Sequence, residues 1–271
     1  MKYLTGVLAV AFMLMLIASP PAQGRSDPRS RIVPPQVRSV GPSSSPYEAL
    51  NQRYMDCMVE IEAVFEGVPT KVSSTLIVVK NTDKPVEPPE AAPKPTFRAY
   101  GSGVVVYKRG SQIIIFTAKH VVEGATSIRI KHGNIIAIIE VKPVSYDGYD
   151  MAYMVCRSAA MAGVVDDIQV AKNSPEVGTM LWCVGNSLAM GTMPTDPGPL
   201  KVKARAMFGS VYGIGGFSAY PGNSGCGVFR DGKLVGILCA VIGNGKQSYN
   251  KMSLYIPAEI VYSKVKQVIG R

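Results

Sequence analysis

The sequence predicts an all-β protein closed by one C-terminal helix. Three observations carry this. Short runs of β-branched and apolar residues recur at close spacing, turn-forming Gly, Pro, Asn and Asp separate them, and no helical periodicity alternates with them before the C-terminus. That pattern suits a barrel or sandwich rather than a parallel sheet with crossover helices.

The chain has 271 residues, 47% of them hydrophobic, enough for one large core or two small ones. At its start, one Lys precedes an unbroken apolar run from Val7 to Ala18, followed by small residues at Ala22 and Gly24. Residues 1–24 therefore read as a secretory signal peptide cut after Ala22 or Gly24, or as an N-terminal membrane anchor; the run is shorter than the roughly 20 residues of a bilayer span. The protein is expected to be secreted or periplasmic, with tethering to the membrane as the alternative. Residues 25–45, rich in Pro, Ser and Arg, read as a disordered linker to a domain spanning 46–271.

Ser45-Pro46-Tyr47-Glu48 opens a short helix with a cap, a first-turn proline and a capping-box glutamate. Met58 to Phe65 either continues that helix or begins a strand. Strands are predicted at Ser74 to Lys80, Gly103 to Tyr107, Gln112 to Thr117, Ile128 to Lys131 and Ile135 to Val141, with the proline-rich tract Asp83 to Pro95 as a loop. Further strands are predicted at Ala152 to Cys156, Met180 to Val184, Val202 to Tyr212, Gly227 to Phe229, Leu234 to Val241 and Ser253 to Ile256. The closing helix begins at Pro257 and places Ile260, Val261, Val265 and Val268 on one side.

Lys and Arg outnumber Asp and Glu by 29 to 19, a net charge of +10, but no dense basic block or nucleic-acid motif accompanies it. No nucleic-acid partner is expected. The five cysteines, Cys57, Cys156, Cys183, Cys226 and Cys239, fit no zinc spacing, and neither a metal nor another cofactor is predicted. Most of them lie in apolar runs as small core residues, and the set allows one disulfide.

Three segments carry chemistry. Tyr220-Pro221-Gly222-Asn223-Ser224-Gly225 can set a serine on a tight turn with its backbone N–H groups aimed at one spot, as an oxyanion requires; it is also an ordinary hairpin-turn sequence. Thr117-Ala118-Lys119-His120-Val121 offers a general base. The other histidine, His132, lies in a polar turn and reads as solvated. Asp150 opens an apolar strand, where a carboxylate would orient the imidazole; Asp147, in a Tyr-Asp-Gly turn, competes for that place.

These segments, in this order, resemble those of the trypsin-like serine peptidases, most nearly the compact HtrA-like branch. Thr-Ala-Lys-His120-Val is similar to that family's histidine motif, Asp150-Met-Ala to its aspartate motif, Gly222-Asn223-Ser224-Gly225 to its nucleophile motif, and Gly101-Ser102-Gly103 to the strand before the histidine. The resemblance covers about residues 50 to 270. It implies two six-stranded β-barrels, at about 52–160 and 165–256, a helix at 257–270, and a cleft between the barrels holding a His120, Asp150, Ser224 triad. It implies an oxyanion hole from the N–H groups of Gly222 and Ser224, a polypeptide substrate, and a specificity pocket lined by Ser218, Leu238, Cys239 and Ala240.

Cys226 stands where the family usually has glycine, and Asn223 where zymogen-type trypsins have aspartate, so Arg31-Ile32-Val33 is not expected to be an activation site. No region of PDZ size follows residue 256. Ser218 occupies the position where Lys- and Arg-specific trypsins carry aspartate, and no acidic residue occurs from Gly209 to Arg230, so small or medium apolar residues are the expected specificity. A catalytically silent binding module of the same fold, and a viral or phage processing protease, are the competing readings.

Overall fold

The structure, a computed structural model, describes residues 46–66, 96–207, 210–243 and 248–270. The signal or anchor segment, the linker, the strand at Ser74 to Lys80 and the proline-rich loop lie outside the described residues.

Helix α1, Pro46–Asp56, turns directly into strand β1, Met58–Glu66, so the undecided Met58 to Phe65 is strand. Alternation decides it: Val59, Ile61 and Ala63 enter one core while Glu60 and Glu62 face the other way. Strands β2 (Thr96–Arg109), β3 (Gln112–Thr117), β4 (Ser127–His132), β5 (Ile135–Ile138), β6 (Val144–Ser145) and β7 (Ala152–Arg157) complete an antiparallel sheet ordered β5-β4-β1-β2-β3-β7-β6. Between them sit two short helices, α2 (Lys119–Val122) and α3 (Ala159–Val164).

The second sheet holds β8 (Met180–Asn186), β9 (Thr192–Pro194), β10 (Gly198–Met207), β11 (Ser210–Gly215), β12 (Gly227–Arg230), β13 (Lys233–Gly243) and β14 (Ser248–Pro257), ordered β10-β11-β14-β13-β12-β8-β9. Gly198 and Pro199 of β10 also pair with Leu181 and Met180 of β8, joining two distant strands of that run. The all-β expectation holds, with two seven-stranded sheets where two six-stranded barrels were expected. Unforeseen were β6 and β9, two and three residues long, too short to show a period. Val202 to Tyr212, read as one strand, is instead parts of β10 and β11, which pair as neighbours with Met207 opposite Ser210.

Each sheet has its own core. One gathers Ile61, Ile113, Ile115, Ile130 and Met154; the other gathers Phe217, Phe229, Ile237, Tyr255 and Ile256. Phe116 and Met151 of the first half pack into the second core and join the halves where β3 and β7 end. Helix α4, Ala258–Ile269, covers the second core with Ala258, Val261 and Val265 buried, while Ile260 and Val268 are half-buried; Pro257 is its N-cap. From the other end of the sequence, α1 also docks on the second half: Tyr54 is fully buried, stacks on Phe229 at 4.4 Å and accepts a hydrogen bond from the Gly232 N–H at 3.0 Å. Residues joining the halves run beside β2, with the Ile168 N–H bonded to the Val105 carbonyl at 3.1 Å.

Candidate active site

His120 sits on α2, directly after β3. Val121 and Val122 are buried in the first core and fix the imidazole's position beside the second half. Asp150 precedes β7, anchored by the fully buried Met151 and by the Tyr146 N–H, which bonds the Met151 carbonyl at 3.0 Å. The two meet at two points. Asp150 Oδ2 lies 2.6 Å from His120 Nδ1, and Asp150 Oδ1 accepts from the His120 backbone N–H at 2.9 Å. An ionised carboxylate can only accept, so the ring proton belongs on Nδ1 and Nε2 keeps its lone pair. Asp147 is exposed in the preceding turn. Below Asp150, the buried Cys239 directs Sγ at its carbonyl, 3.4 Å away. Burial, aided by the Asp150 charge, raises this thiol well above its usual value and keeps it protonated.

Ser224 sits on a turn between β11 and β12. Gly222 and Gly225 have φ of +91° and +84°, the left-handed region a side chain resists. The turn spends three N–H groups internally or on β13: Asn223 on the Tyr220 carbonyl at 3.0 Å, Gly225 on the Leu238 carbonyl at 2.8 Å, and Cys226 on the Asn223 carbonyl at 2.8 Å. Those of Gly222 and Ser224 meet no protein acceptor among the described residues. Hydrogen bonds thus join two of the three expected members directly, while Ser224 is positioned through its backbone.

The support for that backbone was not legible as a role in the sequence. Ser102 Oγ accepts from the Asn186 N–H at 2.8 Å and donates to the Gly222 carbonyl at 2.8 Å, and the Ser102 N–H bonds the Ser224 carbonyl at 2.8 Å. One buried serine therefore ties the turn to both halves of the molecule. Thr117 donates to the Ser102 carbonyl at 2.7 Å and so braces it from β3. The only sequence signal was the pair of glycines flanking Ser102. At Gly101 a side chain would collide with Val121, and at Gly103 with Ile115. Asn223 is fully buried and its side-chain carbonyl accepts from the Ser187 hydroxyl at 2.8 Å.

Of the expected pocket residues, Ser218 is buried, its N–H bonded to the Asp196 carbonyl at 3.1 Å and its hydroxyl 3.4 Å from the Asp196 carboxylate. This carboxylate comes from before β10, outside the Gly209 to Arg230 window, and is solvent-exposed. Leu238 is buried and Ala240 is half-buried on β13. His132 is not simply solvated: β4 pairs with β1, which brings the ring Nδ1 to 2.8 Å from the Met58 carbonyl. Among the described residues no three His, Cys, Asp or Glu side chains are grouped to hold a metal, and no helix is long and apolar enough to cross a membrane.

Comparison with known proteins adds to this geometry. The family model described as "Trypsin-like peptidase domain" matches residues 101–237, from the glycine before Ser102 to the strand that receives the Gly225 N–H. No curated protein matches the chain in sequence. Among solved structures, an HtrA-type protease AlgW with decapeptide superposes at a TM-score of 0.60 and 18% identity, over 81% of this chain and 66% of that one. Variants of it match similarly: with decapeptide at 0.63 and 17% identity, over 83% and 67%, and with tripeptide at 0.57 and 15% identity, over 80% and 62%. The chain thus spans about two thirds of the length of these structures, and at such identities the likeness is one of fold.

Proposed function

Because the chain belongs to the trypsin-like peptidase family and is thereby a serine endopeptidase hydrolase, we propose that it cleaves polypeptides through His120, Asp150 and Ser224. The observation that carries this is the two-point grip of Asp150 on His120, which fixes both the tautomer and the ring plane. Ser224 Oγ attacks the scissile carbonyl as His120 Nε2 takes its proton. The same nitrogen then protonates the leaving amine, and water releases the acyl group by the reverse route. Asp150 holds the ring through Nδ1 and stabilises the imidazolium. The N–H groups of Gly222 and Ser224, uncommitted to protein acceptors among the described residues, receive the oxyanion.

The pocket is proposed to take a small or medium apolar side chain beside Ser218, Leu238 and Ala240. Cys239 contributes backbone there, since its thiol is turned to Asp150. Asp196 is too exposed to offer a buried counter-charge to Lys or Arg, and an unpaired cation there would cost several kcal/mol. Polypeptide as substrate is supported by the peptide-bearing structures that share the fold. The peptidase domain is proposed to occupy 46–271, with export or tethering through residues 1–24.

Profiling on a mixed peptide library tests both parts. Cleavage after Ala, Val, Leu or Met by the parent protein, with none by Ser224→Ala, is the expected result. Dominant cleavage after Lys or Arg would refute the pocket, and undiminished cleavage by Ser224→Ala would refute the nucleophile.

A further inference from the structure

Two of the five cysteines face each other behind the nucleophile turn. Cys183 lies on β8, and Cys226 is the residue before β12, two after Ser224. Val228 of β12 is paired with Cys183 across the ladder. Cys226 precedes Val228 by two positions, so both thiols project from one face as diagonal neighbours. Their sulfurs are 2.7 Å apart and both residues are fully buried. Both are free thiols in the structure, yet their separation is shorter than two unbonded sulfur atoms ordinarily reach, so a small closure gives the roughly 2.05 Å of a covalent bridge. The other three thiols have different surroundings: Cys57 directs its sulfur to the Tyr54 carbonyl at 3.1 Å, Cys239 to Asp150, and Cys156 lies in the first core.

We propose that Cys183 and Cys226 form a disulfide that bolts the nucleophile turn to β8 when the chain folds in an oxidising compartment. β8 ends at Asn186 and runs on into Ser187, and these two already hold Ser102 and Asn223 by hydrogen bonds. The bridge therefore adds a covalent strut to the wall that supports the turn. Its formation is a thiol exchange with a low-molecular-weight disulfide such as oxidised glutathione. One cysteine thiolate displaces one glutathione from the oxidant to give a mixed disulfide, and the second thiolate displaces the other. The two cysteines lose two protons and two electrons in all, and the oxidant leaves as two thiols. With both sulfurs inaccessible in the native fold, the exchange precedes closure of β8 on β12. Burial also raises the folded Cys226 thiol well above its usual value, so a reduced native protein resists later oxidation.

The test is a mass measurement on the full chain. The protein is refolded with reduced and oxidised glutathione, unfolded in guanidinium without reductant, alkylated with iodoacetamide and digested. Three of the five cysteines should be alkylated, and the peptides bearing Cys183 and Cys226 should be joined and lighter by two hydrogens. Alkylation of all five, or a bridge between any other pair, would overturn the proposal. The readout does not depend on the role of Ser224.

Discussion

At the scale of single residues, the reading turns on which carboxylate holds His120. Asp150 makes both contacts and Asp147 is exposed. Asp150→Asn should lower kcat/KM by about 10⁴-fold, because the amide favours the wrong tautomer. Asp147→Asn should leave steady-state kinetics almost unchanged, and the reverse pattern would move the assignment. Ser102→Ala removes the hydroxyl shared by Asn186 and Gly222. The buried groups left unpaired should cost about 1–3 kcal/mol in urea unfolding and slow acylation of Ser224. His120 and Ser224 stood out as candidates because their chemistry demands particular residue types in narrow settings: the chain has only two histidines, and His120 follows the largely apolar strand from Gln112 to Thr117. Asp196 was not legible, because it reaches Ser218 from 22 positions away across a pairing that no local pattern encodes.

Elements were legible where they were long and periodic. The closing helix α4 follows from its apolar stripe and the strands flanking the motifs from alternation, whereas β6 and β9 borrow their conformation from the strands beside them. Where α1 docks was hidden, because Tyr54 finds Phe229 only once the halves assemble. Tyr54→Ala should destabilise the protein by about 3–5 kcal/mol in denaturant unfolding, through a large cavity and a lost hydrogen bond. The start of α4 is tied to the second half in another way. Glu259 accepts from the Ser174 N–H and hydroxyl, both at 2.7 Å. Burial alone would push this carboxyl up, but the two Ser174 bonds outweigh it and hold it below its ordinary value. A carboxyl lowered in the folded state stabilises above its unfolded pKa, about 4.3, and that stability is lost as pH falls through the folded value. Glu259→Gln should therefore cost about 1 kcal/mol at neutral pH, a modest figure for an exposed group, and nothing once the parent carboxyl is protonated. Unfolding curves of both proteins at several pH values check the convergence.

For the whole molecule, two sheets with separate cores meet where Phe116 and Met151 cross between them, and the His120 and Ser224 segments come from opposite sides of that seam. The order of motifs along the chain made the two-half arrangement legible. The bonds that lock the halves together around Ser102 were not, since they join residues as far apart as 102 and 222. If the Cys183 to Cys226 bridge forms, closing a loop of 43 residues should raise unfolding free energy by up to about 4 kcal/mol over the reduced protein, measured by urea denaturation with and without reductant. The central claim is that His120, Asp150 and Ser224 act as one catalytic unit, and covalent labelling tests it most directly. The protein is treated with a peptidyl phosphonate carrying an apolar side chain, and the adduct is mapped by mass spectrometry alongside Ser224→Ala and His120→Ala. A single adduct on Ser224, absent from Ser224→Ala and slowed by orders of magnitude in His120→Ala, is the predicted result; an unlabelled parent protein, or labelling of equal rate in His120→Ala, would contradict it.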